Sequence, residues 1–284
     1  MDSTSTIILV AALFIIMTGM GLSLTVADFK RVLLFPKAVF IGFLSQIVLL
    51  PLIGYTLIVL FDANVNIAMG IMIMAACPGG PTSNLVTHLA KGDTALSVTL
   101  TAINSLITII TIPLIVNFAL NEFVPDGAAI SAPIGKIAGS LVVVIAIPLA
   151  IGMLLNKYAT GLAAKMDKPV KIASTLVLVL VIVGLCIKEK ESLMEYLADG
   201  WAMALALNVT TMIVGFVVAK IARLNFKQAL TITIESGNQN GTLAIHVAVV
   251  SLGVPAFAVV AIVYSLLMYF TASIPVLIGN QKTA

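Results

Sequence analysis

Apolar residues run through this chain in nine long blocks, separated by short polar breaks. The blocks cover residues 5–27, 37–61, 66–90, 93–119, 134–156, 170–188, 196–222, 228–252 and 255–279, lettered A to I. Each is close to the roughly 20 apolar residues with which an α-helix crosses a bilayer. The breaks carry turn or charge signals: Asp28-Phe29-Lys30-Arg31 with Pro36-Lys37, Asp62-Ala63-Asn64, Lys91-Gly92-Asp93 and Val124-Pro125-Asp126-Gly127. The pattern predicts an all-α integral membrane protein with nine transmembrane helices.

Two blocks are themselves interrupted. Block H contains Glu235-Ser236-Gly237-Asn238-Gln239-Asn240-Gly241, which places a carboxylate, three amides and two glycines near mid-bilayer. An uncompensated carboxylate at that depth costs roughly 2.5–3.5 kcal/mol on insertion scales. Glycine flanking adjacent amides makes poor continuous helix. Non-helical backbone at membrane depth is tolerated only where protein or a water-filled cavity surrounds it. Block C contains Cys77-Pro78-Gly79-Gly80-Pro81-Thr82-Ser83-Asn84, whose prolines and glycines cannot continue a helix. Thr82, Ser83 and Asn84 are N-cap residue types suited to starting a second half-helix. Gly79 and Gly237 stand 158 residues apart, and the same offset carries blocks A–D onto F–I. The copies run in opposite directions, which predicts an inverted repeat lacking the first helix of its first copy, with block E unpaired and the two broken helices crossing.

Composition sharpens the class. The chain is 61% hydrophobic and 10% charged, far from any soluble domain of 284 residues. A net charge of +3, spread over loops, gives no nucleic-acid surface. With the N-terminus outside and the C-terminus inside, all but Lys136, Lys188 and Lys190 of the 15 basic residues fall on the cytoplasmic side. Residues 1–6 hold an acid and no base, so block A reads as a retained helix rather than a signal peptide. Cys77 and Cys186 both lie in apolar blocks, without metal spacing. Short loops and no transit sequence point to a bacterial inner membrane.

Crossed half-helices bring four helix ends together. Their N-termini, near Ser83-Asn84 and Gly241-Thr242, present free N–H groups that suit an anionic group. Unwound carbonyls and side-chain oxygens suit a small hard cation. Glu235 is the only acidic residue deep in a block. Ser97 and Thr101 share a helix face extended by Asn104, Ser105 and Thr108, and Gln46 is a lone amide in block B. Taken singly these have plainer explanations. Ser97, Thr101 and Gln46 are also the residue types of interhelical hydrogen bonds. Pro78 can be a simple kink, and Glu235 a protonated structural acid. His88 and His246 read as interfacial rather than as metal ligands.

Gly19-Met20-Gly21-Leu22, Cys77-Pro78-Gly79-Gly80 with Ser83-Asn84, Ala95-Leu96-Ser97, and Glu235 with Gln239-Asn240 together resemble the bile acid:sodium symporter family, over nearly the whole chain. The resemblance implies a core domain and a panel domain. It puts blocks B, C, D, H and I in the core and A, E, F and G mainly in the panel. The chain then divides into 1–61, with the first panel and first core helix; 62–119, core, broken at 77–84; 120–222, mainly panel; and 223–284, core, broken at 235–241. The resemblance also implies two coupling Na+ ions. The first would use Ser83, Asn84, Ser97, Thr101 and Glu235. The second would use Gln46, Glu235, Gln239 and backbone oxygens around Ser236 and Asn238. A small organic anion would sit between core and panel against Gly80, Pro81, Thr82, Asn240 and Tyr269. Pro81 departs from the small hydroxyl residue common in the family, and Tyr269 with Phe270 gives block I an aromatic lining.

The expected activity is sodium-coupled import of an organic anion, bile-acid-like or a smaller carboxylate or sulfate, by alternating access. Two sodium ions per monoanion make it electrogenic. Proton coupling through Glu235 is the alternative within the class. An intramembrane enzyme is disfavoured, since one deep acid has no partner and His-Glu-x-x-His and Gly-x-Ser-x-Gly are missing. A channel would not need two broken helices. The expected partners are the anion and membrane lipid, with no nucleic acid, and the expected state is a monomer.

Overall fold

The structure is a computed structural model that describes residues 3–125, 133–161, 165–166, 169, 180, 183–184 and 190–283. Block F and Cys186 fall almost wholly outside the described residues. The described chain is helical: α1 (Ser3–Leu22), α2 (Val26–Lys30), α3 (Pro36–Phe61), α4 (Val65–Ala76), α5 (Pro81–Leu89), α6 (Thr94–Phe123), α7 (Ile134–Tyr158), α8 (Lys190–Ile221), α9 (Phe226–Gly237), α10 (Gly241–Ser251) and α11 (Val259–Thr283). Among the described residues, α3, α6, α7, the stretch Gly200–Ile221 of α8 and Pro255–Lys282 around α11 are long and apolar enough to span a membrane. Helix α1 with the helical stretch Val26–Leu33, which begins with α2, makes a sixth candidate, bent by 76°.

The polar breaks of the sequence do the capping. Asp62 takes the left-handed conformation that ends α3. Asn64, Asp93, Asn225 and Asn240 each accept a first-turn N–H, starting α4, α6, α9 and α10. Helix α5 starts differently from expectation. Gly80 is its cap residue and Pro81 its first residue, so Thr82, Ser83 and Asn84 lie inside the first turns. Proline has no N–H to satisfy and its fixed φ suits that position, which pre-empts a side-chain cap.

Large apolar side chains cover the outside, among them Leu33, Phe40, Leu60, Ile110, Ile213 and Leu277. The most deeply buried positions include Gln46, Ser83, Ser97, Thr101, Asn104, Glu235 and Gln239, none more than 1% exposed. Polar inside and apolar outside is the distribution of a protein in lipid, where buried polar groups mark function. Helices α1 and α7 run together so tightly that a Cβ on Gly21 or Gly152 would strike the other helix's backbone, a small-residue contact typical of membrane helices. Helix α8 packs along α9 and α11. Two π-turns, Leu44–Leu49 and Val142–Ala146, precede Pro51 and Pro148, whose missing N–H groups leave the regular ladder incomplete. The first of them carries Gln46.

Candidate functional site

Helices α4 and α5 have 12 and 9 residues, about 18 and 14 Å at the helical rise, so each is half a span. The same holds for α9 and α10 on either side of Asn238-Gln239-Asn240. The two breaks meet. Gly79 and Gln239 form an antiparallel bridge, in which Gly80 N–H donates to the Asn238 carbonyl (3.3 Å) and Asn240 N–H to the Pro78 carbonyl (2.8 Å). Backbone groups released by one break are thus satisfied by the other, which is what allows both to lie buried. Gly79 is required there, since a Cβ would come within 2.6 Å of a Glu235 carboxylate oxygen.

Glu235 points from the last turn of α9 into this crossing and is fully buried. Its Oε1 accepts from Ser83 (2.6 Å), Ser97 (2.5 Å) and Thr101 (3.3 Å). Its Oε2 accepts from Thr101 (3.1 Å) and the Gln46 amide (3.3 Å). Asn84 Oδ1 lies 2.8 Å from Ser97 Oγ and 3.3 Å from Thr101 Oγ1. Five expected residues of one set, Ser83, Asn84, Ser97, Thr101 and Glu235, therefore converge on one point from α5, α6 and α9. Their oxygens outnumber their protons. Ser83, Ser97 and Thr101 carry one hydroxyl proton each, yet Ser83 is also within 2.8 Å of the Gly80 carbonyl and Thr101 within 3.0 Å of the Ser97 carbonyl. Several close oxygen pairs have no proton to share.

Gln46 links this cluster to the first break. Its Oε1 accepts from Gly79 N–H (3.2 Å) and from the Asn104 amide (2.9 Å). Gln239 turns its amide nitrogen onto the carbonyls of Glu235 (3.2 Å) and Ser236 (2.8 Å), and its own Oε1 is buried without a partner. Of the expected second set, Gln46, Glu235, Gln239 and the Ser236 carbonyl adjoin one another in this way. The Asn238 carbonyl is instead engaged by Gly80 N–H in the bridge.

In front of the crossing lies a cavity of ≈ 410 Å³. Gly80, Pro81, Thr82, Asn240 and Tyr269, all expected substrate positions, line it. Asn240 is 5% exposed; its Oδ1 caps α10, and its Nδ2 has no partner. The opposite wall is α1, through Ile16 and Met20, with Ser23 and Leu24 of the short link that follows it. Met20 stands in the sequence only as part of Gly19-Met20-Gly21-Leu22, and Ile16 and Leu24 carry no signal there, because apolar wall residues look like any lipid-facing ones. His88, read as merely interfacial, also lines the cavity. Asn104 was visible only as an extension of the polar face of block D. His246 sits away from the crossing, with Nε2 2.8 Å from Ser140 Oγ. Among the described residues no group of three His, Cys, Asp or Glu could hold a transition metal.

The profile of the family described as "Sodium Bile acid symporter family" matches residues 10–196. A Bacillus subtilis protein described as "Uncharacterized sodium-dependent transporter YocS" is 40% identical over 111 residues, 39% of this chain and 35% of that protein. A rice protein described as "Probable sodium/metabolite cotransporter BASS2, chloroplastic" is 35% identical over 114 residues, 40% of this chain and 27% of that one. The human "Ileal sodium/bile acid cotransporter" is 29% identical over 236 residues, 83% of this chain and 67% of that protein. The chain thus spans only about a third of the first two relatives.

Proposed function

The chain belongs to the sodium bile acid symporter family, and from that membership we propose that it is a sodium-coupled symporter of an organic anion. The observation that carries the reading is the oxygen cluster around Glu235. Three hydroxyls, the Asn84 amide oxygen and a carboxylate meet in a buried volume, with neutral neighbours and too few hydroxyl protons for the close oxygen pairs. A small monovalent cation would supply the missing positive charge, and a hard cation prefers such oxygens. Ser83, Asn84, Ser97, Thr101 and Glu235 would hold one sodium ion. Gln46, Glu235, Gln239 and the Glu235 and Ser236 carbonyls would hold a second once the Gln239 amide turns over and the Gln46 oxygen, now held by Gly79 N–H and Asn104, swings towards the carboxylate. Asn238 belongs to this set only if the crossing bridge loosens.

The anion occupies the cavity. Among the described residues no Lys or Arg lines it, so the negative charge is met by the N-terminus of α5, the unpartnered Asn240 amide and the sodium ions behind the crossing. That supply suits one negative charge on an apolar body, and Met20, Leu85 and Met268 provide the apolar wall. The named relatives are described as sodium-dependent, sodium/metabolite and sodium/bile acid transporters, which supports the coupling ion and leaves a bile acid and a smaller metabolite both open.

Bound sodium stiffens the crossing and so the anion pocket, and the anion raises sodium affinity by the same factor. The panel would comprise α1 and α7, with block F, and would rock against the rest. Helix α8 is better placed with the core, against the sequence expectation, because it packs along α9 and α11. In an N-outside, nine-helix arrangement the cavity lies on the cytoplasmic side of the crossing, since it is bounded by the inner ends of α1 and α5. The protein would act as a monomer in a bacterial inner membrane, moving its anion without chemical change.

Proteoliposome uptake tests the reading. A panel of labelled monoanions is offered with an inward sodium gradient, then with potassium. Accumulation above equilibrium only in sodium supports it. Accumulation driven equally by a proton gradient in potassium would move Glu235 to a proton carrier and sink sodium coupling.

A further inference from the structure

The last carbonyls of α9 have lost their helical partners, and they are not treated alike. Those of Glu235 and Ser236 share the single Gln239 amide. That of Gly237 receives two donors from two other helices: Asn208 Nδ2 of α8 at 2.8 Å and Tyr264 Oη–H of α11 at 2.9 Å. Asn208 and Tyr264 are both fully buried. With both lone pairs engaged, the Gly237 carbonyl is closed to a cation, and the turn is fixed two residues from Glu235. The backbone is held close as well, for a Cβ on Gly237 would run into Met212 of α8.

The other break has a matching pair. Gln46 of α3 and Asn104 of α6 are joined to each other and, through Gln46, to Gly79 N–H. Blocks B and D correspond to G and I under the repeat offset, and Asn208 and Tyr264 stand at nearly that offset from Gln46 and Asn104. One pair grips an N–H at the first break and the other a carbonyl at the second.

We propose that Asn208 and Tyr264 are positioning residues for cation binding: by clamping the Gly237 carbonyl they hold the turn that presents Glu235 and the Glu235 and Ser236 carbonyls to sodium. The proposal rests on the sodium reading above. Neither residue touches the carboxylate, so both act through the backbone, as outer-shell partners of metal ligands do.

The test is a sodium titration of the melting temperature of the purified full chain, with sodium chloride replacing potassium chloride at constant ionic strength. Tyr264→Phe keeps the buried ring and removes one donor; Asn208→Leu removes the other. The sodium midpoint should rise about tenfold in each and further in the double variant, the scale seen for outer-shell substitutions. Thr271→Val is the control. It deletes a buried α11 hydroxyl bonded only within its own helix, so it lowers the melting temperature in potassium and leaves the midpoint alone. Folded Tyr264→Phe and Asn208→Leu proteins that titrate within about twofold of wild type would overturn the clamp while leaving the sodium reading intact. A wild type without any sodium-specific response would overturn the sodium reading first and the clamp with it.

Discussion

Thr101→Val isolates one oxygen of the cluster. Thr101 is 1% exposed, and its hydroxyl approaches both Glu235 oxygens, Asn84 Oδ1 and the Ser97 carbonyl at 3.0–3.3 Å. Valine keeps the branched shape on α6 and removes only the oxygen. A buried polar site that loses one partner is weakened by about 1–3 kcal/mol, or roughly 5- to 150-fold in affinity. A sodium concentration of 100 times Kd stabilises the folded protein by about 2.7 kcal/mol. A tenfold loss of affinity reduces that to about 1.4 kcal/mol. The difference corresponds to a few degrees of melting temperature for a chain of this size. The assay compares melting in sodium and in potassium for both proteins. The variant should melt below wild type in potassium, because the hydroxyl bonds the carboxylate there too, and should keep only about half of the sodium increment. An undiminished increment in Thr101→Val would refute the placement of sodium against this hydroxyl.

Four further outcomes are expected. Gly152→Ala puts a Cβ 2.7 Å from the Cα of Gly21; overpacking of this kind costs about 1–3 kcal/mol, so the melting temperature should drop equally in sodium and potassium. Pro81→Thr adds a hydroxyl and an N–H at the cavity-facing start of α5; uptake kinetics should show a changed anion KM with an unchanged sodium midpoint. Asn240→Ala removes the α10 cap, worth about 1 kcal/mol, together with the cavity-lining amide; it should weaken anion binding, read by competition, more than sodium binding. With two sodium ions per monoanion, an inside-negative potassium diffusion potential should accelerate uptake, and voltage-independent uptake would mean one cation per anion.

Much of this architecture is legible in the sequence because lipid imposes a strict rule. A glutamate and paired glycines inside an apolar block have few explanations, so Glu235, Gly79 and the crossing could be expected before any coordinates. Ser97 and Thr101 followed from helical spacing on block D. The cap of α5 did not, because Thr82, Ser83 and Asn84 look like caps until Pro81 is allowed to start the helix. The α1 wall of the cavity was hidden for another reason. Ile16 in α1 and Leu24 just after it are chemically the same whether they face lipid, a neighbouring helix or a ligand. Asn208 and Tyr264 lay in long apolar blocks, and only the three-dimensional meeting at the Gly237 carbonyl gives them a task. The packing of α8 along α9 and α11 likewise depends on long-range contacts that no local pattern encodes.

Equilibrium binding of radiolabelled sodium to the purified protein tests the placement of the cation at Glu235, with wild type and Glu235→Gln measured side by side in excess potassium. Saturable sodium binding to wild type is expected, not displaced by potassium and lost in the glutamine variant while it remains folded. Equal sodium binding by both proteins would contradict it, since the cation would then lie somewhere other than the crossing of the two broken helices.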